Sequence, residues 1–176
     1  MRTLLAVLAA VLVMAAAPAS QKPPAHPSHP RTNAPKSIGT YGDWQAATHI
    51  EAGQTVCYAF TRAQSSAPAL QGRGDVVLTV TERQSGRDAV AISAGFTYVA
   101  NAAVNMQVDQ AALDFYTAQR SAFARDGKAT VAAFRKANTA VAHSPGPKGA
   151  QVTDTFSLKG FDAAYSMINK TCPAKS

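Results

Sequence analysis

Apolar and polar residues alternate with a period of two along several short stretches of this chain, and the pattern predicts short β-strands. Gln54-Thr-Val-Cys-Tyr-Ala-Phe-Thr61 is one such stretch, rich in β-branched and aromatic residues. Val76-Val-Leu-Thr-Val-Thr81 and Ala89-Val-Ala-Ile-Ser93 flank Ser85-Gly86-Arg87, which reads as a hairpin turn. Tyr41-Gly-Asp-Trp44, Phe96-Thr-Tyr98, Val104–Val108, Asp114–Thr117, Thr139–Val141 and Ala150–Phe156 add further strands. Pro68, Gly72 and Gly74 mark a loop from Gln64 to Asp75, and Ser144–Gly149 reads as another. Many short strands between turn residues predict a mainly β, sandwich- or barrel-like domain.

In two places the period lengthens to that of a helix. Asp126-Gly127 caps a helix over about 128–137, with Val131 and Phe134 on one face. A second helix spans about 160–170, where Phe161, Ala164, Tyr165 and Ile168 form one stripe. Asp162 in its first turn and Lys170 in its last suit the helix dipole, and Pro173 stops it. Gly160 permits the turn from strand into helix, and Trp44, the one tryptophan, reads as a core anchor.

The amino terminus is of a different kind. Arg2, the apolar run Leu4–Ala17 and the small residues Ala17-Pro-Ala19 read as a signal peptide over residues 1–19, cleaved before Ser20. The run is too short for a comfortable membrane span, and no later segment is long and apolar enough to cross a bilayer. Residues 20–37 are Pro-rich and polar, with almost nothing to bury, and are expected to be a disordered lead-in. His26 and His29 stand there with no carboxylate or Cys beside them to complete a metal site. Residues 38–176 then form a single domain. In an exported chain, Cys57 and Cys172 most simply pair with each other as a structural disulfide.

Candidate catalytic chemistry is thin. Glu51 and Glu82 are the only glutamates, and Asp75, Asp88, Asp109, Asp126 and Asp154 are placed at turns and caps. Paired carboxylates, metal-ligand spacing, a nucleophile motif and a phosphate-cradling Gly loop do not emerge from the sequence. Dispersed Asp43, His49 and His143 are the residues a hidden hydrolase would have to use. The sequence predicts neither an enzyme nor a cofactor.

Several of these segments together resemble one family. Tyr41-Gly-Asp-Trp44, Ala122-Phe-Ala-Arg-Asp126, Ala133-Phe-Arg-Lys136 and Thr153-Asp-Thr-Phe-Ser-Leu-Lys-Gly-Phe-Asp-Ala-Ala164, with the late Cys172, resemble the invasion-associated locus B family of Gram-negative bacteria. The resemblance covers most of the chain from Tyr41 onward. It implies an exported, periplasmic or envelope-exposed β-sandwich-like protein without assigned catalytic residues. Ala46 and Ala47 follow Gln45 where many members have a Cys, so the chain resembles a one-disulfide branch.

Charge changes the picture once more. A formal net charge of +7 implies attraction to anionic surfaces, weakening as salt rises. Arg120, Arg125, Lys128, Arg135 and Lys136 cluster in sequence, and with Lys148 and Lys159 they form the candidate contact surface. The partner would be an envelope protein or an anionic surface polymer; the alternative is a periplasmic module holding an anionic ligand on the same basic surface. Nucleic acid does not fit an exported chain without stacked aromatic platforms.

Overall fold

Alternating side chains and frequent turns produce eleven strands and two helices in the computed structural model, which describes residues 34–175. The strands are β1 (Lys36–Tyr41), β2 (Trp44–Glu51), β3 (Gln54–Arg62), β4 (Ser65–Ala67), β5 (Val77–Arg83), β6 (Gly86–Ser93), β7 (Ala103–Val108), β8 (Ala111–Ala118), β9 (Ser121–Ala124), β10 (Thr139–Pro145) and β11 (Gln151–Ser157). The helices are α1 (Gly127–Phe134) and α2 (Phe161–Thr171). The expected signal peptide and most of the Pro-rich lead-in lie outside the described residues, and β1 begins at Lys36.

All strands join one antiparallel sheet in the order β1-β2-β3-β5-β6-β9-β8-β7-β10-β11-β4. Its two regions meet because β4 follows β3 almost directly. β3 pairs with β5, whereas β4 pairs with β11, and between them the Gln64 N–H donates to the Thr155 carbonyl at 2.8 Å. The sheet is therefore curled but not closed. Such curling buries one face of the inner strands without a second sheet, while the edge strands β1 and β4 carry no fully buried residue.

The inner face packs against the helices. Trp44, Leu78, Ile92, Met106, Phe115, Phe134, Phe156, Phe161 and Ile168 are all essentially inaccessible. Phe161 of α2 is the hub, with its ring edge-on to Trp44 at 4.8 Å and to Phe134 of α1 at 5.4 Å. The Asp126 carboxylate caps α1 by accepting from the Ala129 N–H at 2.9 Å, as its sequence position predicts. α1 ends at Phe134, earlier than the expected 137, with Arg135 as its C-cap.

Several local expectations are corrected. Tyr41–Trp44 is the turn between β1 and β2, because Gly42 at φ 56° reverses the chain there. Phe96 and Tyr98 lie in an irregular segment; their rings meet edge-on at 5.1 Å and are buried over the core, which supplies alternation without a ladder. The loop 64–75 contains β4, whose Ser-Ser-Ala sequence carries no apolar signal. Gln84 and Ser85 form the β5–β6 turn, since Arg83 pairs with Gly86. β10 runs on to Pro145, so the following loop is shorter than expected.

Candidate functional site

Two short turns, far apart in sequence, lock into each other beside Trp44. Gly42 and Gly160 both have positive φ, 56° and 90°. A Cβ on Gly160 would lie 1.9 Å from the Tyr41 carbonyl oxygen, and one on Gly42 would lie 2.7 Å from that of Lys159. The Asp43 N–H donates to Lys159 O at 3.0 Å, and Trp44 Nε1 donates to Ser157 O at 2.9 Å. The Tyr-Gly-Asp-Trp and Leu-Lys-Gly-Phe segments are thus one clasp. Their residue types follow from backbone approach and indole burial, not from chemistry on a substrate.

Nearby, Cys57 of β3 and Cys172 after α2 form the disulfide expected of them, with 5.9 Å between Cα atoms. Under α2 lies a cluster that sequence reading missed. Glu82 sits at a register shift in β5 and is fully buried, 2.6 Å from Arg87. Burial, offset in part by Arg87 and reinforced by Asp88, pushes its carboxyl up to about 7. Tyr165 of α2 donates to Asp88 Oδ1 at 2.6 Å; burial and this carboxylate raise the phenol to about 12. Arg87 also donates to the Cys172 carbonyl and to Asn169. These groups tie the β5–β6 hairpin to α2, with Glu82 fully buried among them.

A second buried pair joins different elements. Asp154, expected at a turn or cap, is in β11 and nearly inaccessible. Arg73 meets it with two N–H···O bonds of 2.8 and 2.7 Å, and Ser66 Oγ donates at 2.7 Å. Arg73 also donates to Ala94 O and lies 5.0 Å above the Phe96 ring. This arrangement pins the 64–75 loop and the 94–98 segment onto β11. Only Asp154's polar position in an otherwise alternating strand hints at it in sequence.

The residues a hydrolase would need do not converge. Asp43 uses its backbone: its N–H meets Lys159, and its carbonyl accepts from Thr61 Oγ1 at 2.8 Å. His49 is about 20 Å further along β2, with Nε2 2.8 Å from Glu51 Oε1. Arg83 and His49 together hold Glu51 at about 2, well below the usual glutamate value. His143 stands on β10 with Nδ1 3.2 Å from Thr153 Oγ1. Each has its own local partner and none touches the other two.

The seven expected contact residues divide into two groups. Arg125 and Lys128 flank the start of α1, and Arg135 and Lys136 its end, adjoining Leu158 and Lys159 through the Leu158 N–H to Asn138 O bond of 2.8 Å. Lys148 is in the β10–β11 turn, at the other end of a seven-residue ladder from Lys159, about 20 Å away. Arg120 is in the β8–β9 turn, also away from α1, and donates to Gly95 O at 3.0 Å. Within the α1 group, Arg135 pairs with Asp162 at 2.5 Å and lies over the Tyr165 ring. Arg125 lies over the Tyr116 ring at 5.7 Å. Lys128, Lys136 and Lys159 form no ion pair among the described residues.

Known proteins share this architecture. The crystal structure of invasion associated protein B from Bartonella henselae superposes with a TM-score of 0.57 at 20% identity, covering 77% of this chain and 96% of that one. Among curated proteins, none matches the chain. The sequence model of the Invasion associated locus B (IalB) protein family matches residues 44–169, which include Trp44, Cys57 and the Leu-Lys-Gly-Phe turn. The chain belongs to the IalB family.

Proposed function

We propose that this protein is an exported, non-enzymatic envelope protein that works by contact with an envelope protein or an anionic cell-surface polymer. The adjacency of Lys136 and Lys159 beyond the C-terminal end of α1, with Lys128 in its first turn, supports this reading most directly. Cations free of local carboxylate partners attract an anionic surface at little desolvation cost, and salt weakens that attraction. The long-range disulfide supports export, because such bonds persist in oxidising compartments. Lys148 and Arg120 lie at the other end and play no part in this contact.

The test is cross-linking capture of the tagged protein on intact cell envelopes at low and high salt, read by mass spectrometry. Wild-type capture is expected to fall as salt rises and to drop several-fold in Lys136→Glu/Lys159→Glu. Lys148→Glu is expected to leave it unchanged. Capture indifferent to salt and to the double charge reversal would refute the basic-end reading. Turnover of an envelope substrate, abolished by His49→Ala or His143→Ala, would refute the non-enzymatic one.

A further inference from the structure

Where the chain leaves β3, paired with β5, for β4, paired with β11, the start of β2 lies alongside. An open cavity of about 260 Å³ forms there, with Asp43, Gln45, Phe60, Arg62 and Gln64 in its lining. Trp44, Ala46, Ala59 and Thr61 are buried, so alternation turns Gln45, Phe60 and Arg62 to solvent. Gln45 lies opposite Phe60 in the ladder, and Asp43 and Arg62 are each two residues on towards the same end.

The polar groups of this lining are unspent. Asp43 uses its N–H on Lys159 O and its carbonyl on Thr61 Oγ1. Its carboxylate meets no donor among the described residues, and the side-chain amides of Gln45 and Gln64 meet no partner there. Gln64 is held by its backbone, whose N–H donates to Thr155 O at 2.8 Å.

Two cations and two anions surround the cavity: Arg62 and Lys159, Asp43 and Asp75. Arg62 meets Asp75 at 3.4 Å, a long contact between side chains 61% and 73% exposed. Such a pair holds little and exchanges readily. Lys159 adjoins Asp43 through the backbone and pairs with no carboxylate among the described residues. Asp43 and Arg62 form no ion pair with each other either. One small cavity therefore presents an available anion and an available cation on separate side chains.

That pairing selects the ligand. A lone anion would meet Asp43, a lone cation would meet Arg62, and an uncharged group would desolvate both without replacing their water. A group carrying both charges on one carbon satisfies both. The carboxylate of an α-amino acid matches the planar fork of Arg62, and its ammonium matches the Asp43 carboxylate. Gln45 and Gln64 can accept from the ammonium and donate to the carboxylate. Phe60, backed by Tyr58 at 5.8 Å, offers an apolar wall to an aliphatic chain.

We propose that this cavity binds an α-amino-acid head group, its ammonium on Asp43, its carboxylate on Arg62 and its carbon chain along Phe60. Two sources carry that chemistry, a free amino acid and the exposed end of a diamino acid in a cell-wall peptide. The site does not depend on Lys128 or Lys136 of the basic end.

The experiment is calorimetric titration of the disulfide-bonded protein with norleucine and with a wall tripeptide ending in diaminopimelate. N-acetylnorleucine and norleucine amide, each lacking one charge, are the controls. At least one of the first two is expected to bind, and both controls tenfold or more weakly than norleucine or not at all. Tighter binding of the tripeptide assigns the wall source, and equal or tighter binding of norleucine the free amino acid. Asp43→Asn and Arg62→Gln are each expected to weaken binding tenfold or more, with folding checked by unchanged urea midpoints. Lys128→Glu/Lys136→Glu is expected to lower envelope capture and leave this binding intact, so the two readings fail separately. No binding of norleucine or tripeptide at millimolar concentration overturns the proposal. So does equal binding of the controls, or binding that neither Asp43→Asn nor Arg62→Gln weakens.

Discussion

Removing the Cys57–Cys172 bond gives the sharpest quantitative test of how this fold is held. The two residues are separated by 115 positions. In the chain-entropy treatment, a loop of that length restricts the unfolded ensemble by about 4.8 kcal/mol at 25 °C. Measured values often fall below that figure because unfolded chains retain structure. Cys57→Ala and Cys172→Ala should therefore each cost about 3–5 kcal/mol, since either one abolishes the same bond. The double variant should cost about as much as one single variant, not the sum. Cys57 is completely buried and Cys172 nearly so, so alanine is the fitting replacement; serine would add the cost of an unsatisfied hydroxyl. The assay is urea unfolding of the wild type with and without dithiothreitol, beside the three variants. Reduction of the wild type should reproduce the loss seen in the double variant. Additive single losses, or one single variant matching the oxidised wild type, would refute the cross-link as the source of the stability.

Two further perturbations probe the clasp and the buried acid. Gly160→Ala must adopt positive φ, costing about 1 kcal/mol, and must also clear the Tyr41 carbonyl 1.9 Å from its Cβ. A loss of about 3 kcal/mol or more in thermal or urea unfolding is expected. Gly53→Ala, at φ 78° with nothing within 4 Å, should cost only about 1 kcal/mol; equal losses at the two sites would sink the clash argument. Glu82 in the folded chain keeps its proton up to about 7, whereas the unfolded chain releases it near 4.5. Its contribution is therefore fully favourable below pH 4.5 and is lost as pH rises through about 7, a change of at most about 3 kcal/mol. Glu82→Gln should flatten the fall in stability between those values relative to wild type, and parallel pH profiles would overturn the assignment.

What the sequence reveals follows from where its signals are local. β3, β5 and β6 each alternate over several consecutive residues, and α2 carries its apolar stripe and its dipole-matched ends, so all four are legible. β4 is not, because Ser65-Ser-Ala67 is a strand only by virtue of β11 and of Ser66 reaching Asp154. Phe96 and Tyr98 mislead because burial by a covering loop produces the same alternation as a ladder. The basic residues are visible individually, yet their division depends on which end of a hairpin each occupies. That is a property of register, and it separates Lys148 from Lys159 despite their nearness in the chain. Asp154 and Glu82 look like ordinary surface acids because their partners, Arg73 and Arg87, are matched only by the curl of the sheet and the bulge in β5.

The clasp between residues 41–44 and 157–161 also sets the order in which the molecule can become itself. A chain emerging amino terminus first presents Trp44 long before Ser157 and Phe161 exist to receive it. Until then the earliest strands have an unfinished inner face and no partner for their turn. Contacts of such long sequence separation form late, because the loop between them must be ordered first. If the protein is exported as proposed above, this delay is useful: the chain would remain pliable in transit and lock only on the far side. The same interval is its period of greatest exposure to proteases, and the arrival of α2 is the event that ends it.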